Sequence, residues 1–155
     1  MGKSSNDVFL EVDATFRLDL KQLIEAMPTA RLLGVRVIGF DRSGGSRVEL
    51  EIQRSHTFDG RSVQAGVIGA LADFAGVSAS AAALGDGWMA STTGFEVHNL
   101  APANGERLVA IGKALLAKRS QGVSVVEVFS VSSTGERTVV AHATTMCRPF
   151  QLAPS

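Results

Sequence analysis

The stretch Gln64-Ala-Gly-Val-Ile-Gly-Ala-Leu-Ala-Asp73-Phe-Ala-Gly-Val-Ser-Ala-Ser-Ala-Ala-Ala83 decides how this chain folds, and Asp73 is the only charged side chain between Arg61 and Asp86. A run this long and apolar predicts a buried helix. Its Gly and Ala residues leave room for another element to pack close against it. A lone carboxylate in such surroundings is expensive to bury without a partner. Desolvation raises its pKa, which is how catalytic bases and nucleophiles are commonly prepared. A carboxylate capped by a backbone group, or paired with an Arg or Lys from another strand, is the plainer alternative. The residues alone leave both open.

Working outward, Gly85-Asp-Gly87 has the turn chemistry that closes a helix. Four strand-like runs follow at 91–100, 107–117, 122–131 and 138–147. Pro102-Ala-Asn-Gly105, Lys118-Arg-Ser-Gln121 and Ser133-Thr-Gly135 separate them, short connections suited to a meander. Upstream, 35–40 and 47–53 read as a hairpin around Asp41-Arg-Ser-Gly-Gly45, with Val48, Leu50 and Ile52 alternating with polar residues. Earlier still, Asp19 reads as an N-cap, and Leu20, Leu23, Ile24 and Met27 repeat at helical spacing until Pro28 ends the helix. Residues 1–17 read as an initially disordered arm, with Phe9, Val12 and Phe16 available to dock; 18–150 read as a single domain and 151–155 as a tail. Helix, hairpin, long helix and four strands imply an α+β domain, one antiparallel sheet wrapped around one long helix. Strands of about ten residues span roughly 33 Å, enough to curl around a helix of similar length.

At 155 residues, 45% hydrophobic and 19% charged, the composition is that of one globular soluble domain. Zero formal net charge points away from nucleic acid and anionic membranes. The N-terminus lacks the apolar core of a signal peptide. The run 65–84 has spanning length, yet Asp73, its serines and its glycines suit a buried helix better than a membrane span. A cytoplasmic location is the default expectation. The single cysteine, Cys147, excludes an internal disulfide framework.

Several chemistries are missing. Gly76-Val-Ser78-Ala-Ser80 fails the last position of a nucleophile elbow, and no phosphate-binding Gly-x-x-x-x-Gly-Lys loop exists. His56, His98 and His142 lack the spacing of zinc ligands. What remains is Asp73 and the start of its helix, where the N–H groups of Ala65 and Gly66 are first-turn donors able to hold a carbonyl oxygen. Eight residues separate Ala65 from Asp73, about 12 Å along a helix. One subunit cannot easily bring both to the same atom. Joint action therefore implies a site shared between two chains.

The segment from Ser62 to Val77, with Phe95-Glu-Val-His-Asn-Leu-Ala-Pro102 after it, resembles the signature of hotdog-fold acyl-CoA thioesterases of the phenylacetate-pathway (PaaI-like) type. The resemblance covers roughly residues 30–148. It implies that Asp73 is the catalytic carboxylate, as nucleophile or as general base for water. It places Ala65, with Gly66 beside it, where a backbone N–H polarises the thioester carbonyl. Thr92 falls where relatives place a Ser or Thr that orients water, with Thr93 one register away. Gln64 replaces the more usual histidine. The loop before the helix, often carrying Asn or Gln, here reads Thr57-Phe58-Asp59. Phe58 cannot hydrogen-bond, so its supporting role is lost or passes to Asp59 or Gln64. The basic turn with Arg119 and Ser120 is a candidate contact for the phosphates of coenzyme A, against the plainer reading of a solvated hairpin tip.

The resemblance further implies an acyl-CoA substrate, no metal or organic cofactor, and a homodimer or dimer of dimers with the active site at the subunit interface. A non-catalytic acyl-CoA-binding hotdog protein, acting as a sensor or partner module, is the alternative. A hotdog dehydratase would need a histidine–acid pair, and the helix has no histidine.

Overall fold

Helix α3, Ala65–Ala83, is the expected Gly/Ala-rich helix, and the other elements are arranged around it. The computed structural model describes Phe9 and residues 11–153. Before α3 come α1 (Leu18–Glu25), α2 (Pro28–Leu33), β1 (Arg36–Phe40) and β2 (Gly45–Glu51). After it come β3 (Trp88–Asn99), β4 (Arg107–Lys118), β5 (Gln121–Val131) and β6 (Arg137–Gln151). These strands form one antiparallel sheet in the order β1-β2-β4-β5-β6-β3.

The four later strands are not a simple meander. β4, β5 and β6 are, but β3 lies at the far edge beside β6, and β4 pairs with β2 instead. The linker after β3 passes the start of α3, where the Ala103 carbonyl accepts the Val63 N–H at 2.9 Å. Turn chemistry tells a strand where to reverse; the choice of neighbour is settled by contacts distant in sequence.

Small side chains set the distance between sheet and helix. A Cβ on Gly112 of β4 would land on the Ala75 carbonyl oxygen, and one on Gly76 would strike the Thr145 side chain of β6. On β5, a Cβ on Gly122 would come 2.7 Å from the Cβ of Ser80. Hydroxyls join the two layers: Ser46 Oγ donates to the Ala75 carbonyl at 2.5 Å, and Ser80 and Ser124 bond at 2.7 Å. Toward the helix start Ile68 and Leu71 meet Leu50, Leu108, Val126 and Val128 in the main core.

Three local expectations need correction. Asp19 is not the N-cap of α1; that position belongs to Arg17, in the left-handed region at φ 53°. Arg17 is buried, donates to the Ala81 and Trp88 carbonyls at 2.8 and 2.7 Å, and is held by the Asp19 carboxylate at 3.0 Å. Pro28 ends no helix but occupies the first turn of α2, where its missing N–H has no partner to lose. The stretch expected as a tail from 151 begins inside β6, and the Leu152 N–H donates to the Gly87 carbonyl.

Of the expected arm, residues 1–8 and 10 lie outside the described residues, as do 154–155 of the tail. Phe9 is buried with Val109 and Val131. Val109 alternates with Leu108 and Ala110 of the main core, so this contact lies on the sheet face turned away from α3. The Phe9 ring sits edge-to-face with Phe129 at 5.4 Å, with the Arg47 and Arg137 guanidinium groups 4.8 and 4.7 Å from its centre.

Gly112→Ala should destabilise the fold by about 1–3 kcal/mol, because the new methyl meets backbone that cannot swing aside. A denaturant midpoint equal to wild type would remove Gly112 as the point of closest approach.

Candidate active site

Asp73 lies midway along α3, half-buried, on the side facing edge strand β3. Thr92 Oγ1 donates to Asp73 Oδ1 at 2.7 Å. The register of β3 against β6 slips between Thr92 and Gly94, so Thr93 is the extra residue of a bulge. Thr92 stands opposite buried Cys147 and Phe95 opposite buried Thr145, which turns both toward the helix. The bulge thus selects Thr92 over Thr93.

Among the described residues no Arg or Lys pairs with Asp73, and no backbone N–H caps it. Burial pushes its carboxyl pKa above the ordinary value, and the Thr92 hydrogen bond pulls the other way. The structural alternative raised from the sequence, a capped or ion-paired carboxylate, is not formed among the described residues. Cys147 is buried, which drives its thiol pKa upward, and the Asp73 charge adds to that.

Asp73 and Thr92 open onto a cavity of about 120 Å³. Beside Ser78, its walls are largely apolar: Phe74 and Val77 come from α3, Met89 from β3, Leu20 and Ile24 from α1, and Met27 from the N-cap of α2. The α1 residues share one helix face, the face anticipated from their spacing, while Leu23 is turned outward.

The start of α3 is organised separately. Buried His56 accepts the Gln53 N–H on Nδ1 at 3.0 Å, and its carbonyl accepts the Gln64 N–H at 2.9 Å. The ring is thus a structural part of the loop. Gln64 caps the helix: its side chain accepts the Gly66 N–H at 2.6 Å. The expectation of two free donors is corrected for Gly66, whose N–H is taken. The Ala65 N–H has no acceptor among the described residues. Ala65 lies in a second groove with Phe58, Ser62, Asn99 and Leu100, and that groove contains neither Asp73 nor Thr92.

The remaining candidates sit apart from Asp73. Phe58 is 70% exposed at the groove rim. Asp59 accepts the N–H groups of Arg61 and Ser62, which hold its carboxyl below the usual pKa, so it organises the loop. Arg119 and Ser120 form the β4–β5 hairpin tip, with the Arg119 guanidinium 5.9 Å from the Trp88 ring centre; neither lines either cavity. Sequence reasoning missed Arg17, which carries no periodic signal, and Met89, which the expected start of the strand at 91 left outside it. Among the described residues no three His, Cys, Asp or Glu side chains group as a metal site.

No protein-family model matches this chain, and no curated protein matches it in sequence. Solved structures do match. A thioesterase family protein from Silicibacter pomeroyi superposes with a TM-score of 0.80 at 20% identity, over 88% of this chain and 99% of that one. A thioesterase from Haemophilus influenzae gives 0.74 at 16% identity, over 94% and 98%. The PaaI protein of the Escherichia coli phenylacetic acid degradation operon gives 0.70 at 20%, over 91% and 99%. The chain has the hotdog fold, and the resemblance read from its sequence holds at the level of fold.

Because the folded-state pKa of Asp73 is raised, the folded protein holds its proton more tightly than the unfolded chain does. That preference favours folding below the unfolded value and is lost as pH rises through the folded one. Asp73→Asn should therefore raise the melting temperature at pH 7, with a gain that shrinks toward pH 3. Equal melting temperatures across that range would mean the carboxylate carries no burial penalty.

Proposed function

We propose that this protein hydrolyses an acyl-CoA thioester to the free acid and coenzyme A, with Asp73 driving the attack. The observation that carries this reading is the Asp73 carboxylate, unpaired by any cation among the described residues and held by Thr92 at the mouth of an apolar cavity. The fold shared with proteins named as thioesterases supports it.

In the general-base form, Asp73 takes a proton from water as the water oxygen bonds to the thioester carbon. The carbonyl oxygen gains negative charge, the C–S bond then breaks, and the thiolate leaves with the electron pair. In the nucleophilic form, Asp73 itself bonds to the carbon and expels the thiolate, and water then opens the mixed anhydride. Either route uses a carboxylate in its ionised form. Thr92 favours that form by donating to it, against the upward pull of burial. The Ala65 N–H, at the positive end of α3, is the donor suited to the oxyanion. Since Ala65 and Asp73 lie about 12 Å apart along one helix, the complete site takes Ala65 from one subunit and Asp73 from its partner. A homodimer, or a dimer of dimers, is the assembly this requires. Arg119 and Ser120 are assigned to the phosphates of coenzyme A only as outlying contacts.

A second reading, a non-catalytic acyl-CoA-binding module, is favoured by one observation. Gln64 occupies the Gly66 N–H, and Phe58 offers no hydrogen bond in its place.

Thiol release from a panel of acyl-CoAs separates the two. Asp73→Ala should lower kcat/KM by about a hundredfold or more while the protein stays folded. Thr92→Val should move the acidic limb of the pH profile to higher pH, because the hydrogen bond that lowers the Asp73 pKa is gone. Acyl-CoA binding without turnover by wild type would favour the binding module.

A further inference from the structure

We infer that α1 is a fixed end wall of the acyl cavity and limits the acyl group to about six carbon atoms, with buried Arg17 as the residue that holds the wall in place. The inference rests on the proposed acyl-CoA reading and adds to it a size limit and the residues that set it. The cavity that holds the Asp73 carboxylate is also lined by Phe74 and Val77 of α3, by Leu20 and Ile24 of α1, and by Met27 just beyond α1. Leu20 and Ile24 are almost wholly buried and belong to a core cluster with Val37, Phe40 and Ala81, so they form a packed surface. An engineered apolar cavity of about 150 Å³ holds one benzene molecule, and the cavity here is about 120 Å³. Its apolar lining favours a hydrocarbon group over a polar one.

A wall discriminates by size only if it does not yield. Helix α1 has eight residues, too short to be stable alone. Its position is fixed from its N-terminal side by Arg17, whose guanidinium bonds the Ala81 carbonyl of α3, the Trp88 carbonyl of β3 and the Asp19 carboxylate of α1 itself. A buried guanidinium with each of these partners placed is hard to shift without leaving a charge unpaired. The same α3 and β3 carry Asp73 and Thr92. One side chain thus ties the end of the cavity to the elements that form its mouth.

The test uses non-hydrolysable S-alkyl-CoA thioethers from two to twelve carbons, with affinity measured by calorimetry. In the wild type, affinity should rise about fourfold for each buried methylene until about six carbons, then level off. Met27→Ala and Ile24→Ala should each move that break to longer chains. Arg17→Gln should blunt it, letting long chains gain affinity while short ones bind as before; a purely structural role would weaken all lengths alike. Affinity still climbing from six to twelve carbons in the wild type would overturn the inference. So would a break that stays in place in both alanine variants, or the absence of binding at every length. Thioethers report the wall whether or not the protein turns over. Failure of the wild type to hydrolyse any acyl-CoA would strike the proposed reaction alone.

Discussion

Methyl groups on Gly112, Gly76 or Gly122 would collide with α3 or with residues packed on it, and that steric limit sets how closely the sheet can wrap the helix. Close approach buries the second half of α3, from Ala75 to Ala82, almost completely. It also fixes where the wrapping stops. β3 is the last strand of the sheet, and Asp73 lies on the side of α3 that meets it. A looser sheet, built on larger residues, would leave Asp73 wet and its carboxyl near the ordinary pKa. The raised pKa is therefore a consequence of packing several residues away.

Two desolvated charges lie at this end of the molecule, and the fold treats them differently. Arg17 is given two carbonyls, the Asp19 carboxylate and, at 3.9 Å, the Asp86 carboxylate, so its burial is compensated. Asp73 is given one hydroxyl. Among the described residues Asp73 is the only acidic side chain that lines the cavity. An ion pair there would have lowered its pKa and, on the proposed reaction, occupied the oxygens that a substrate or water needs.

The sequence made Asp73 legible because charge is conspicuous in a Gly/Ala background, and it made α3 legible within a residue because apolar length and closing glycines are local signals. β2 was legible from the alternation of Val48 and Leu50, but the strand runs Gly45–Glu51, leaves Ile52 outside it and buries Glu49 on the face expected to be wet. The place of β3 at the sheet edge was not, since strand order depends on contacts far apart in sequence. Thr92 and Thr93 could not be separated, because a bulge breaks period-two alternation only in the partner's register. Pro28 was misread for a different reason: the residue that terminates one helix is equally suited to open the next. The fate of the Gly66 N–H was hidden too. Gln64 precedes the helix in either case, and only its rotamer decides whether the donor is free.

The geometry of α3 bears on what one chain can do. The positive end of the helix dipole acts within the first turn, so Asp73, more than two turns in, gains little from it. The Ala65 N–H lies in that first turn, in a groove that does not include Asp73. On the proposed reaction, each chain thus carries a base without an oxyanion site and an oxyanion site without a base, in two separate cavities. Both cavities are lined in part by β3 or the residues just after it, the strand whose outer edge is free among the described residues. An antiparallel second copy along that edge would reverse the order of the two cavities. The start of one helix would then lie toward the middle of the other. On the proposed reaction, association is what joins the two halves of the site, and the unpaired edge of β3 is the surface suited to it.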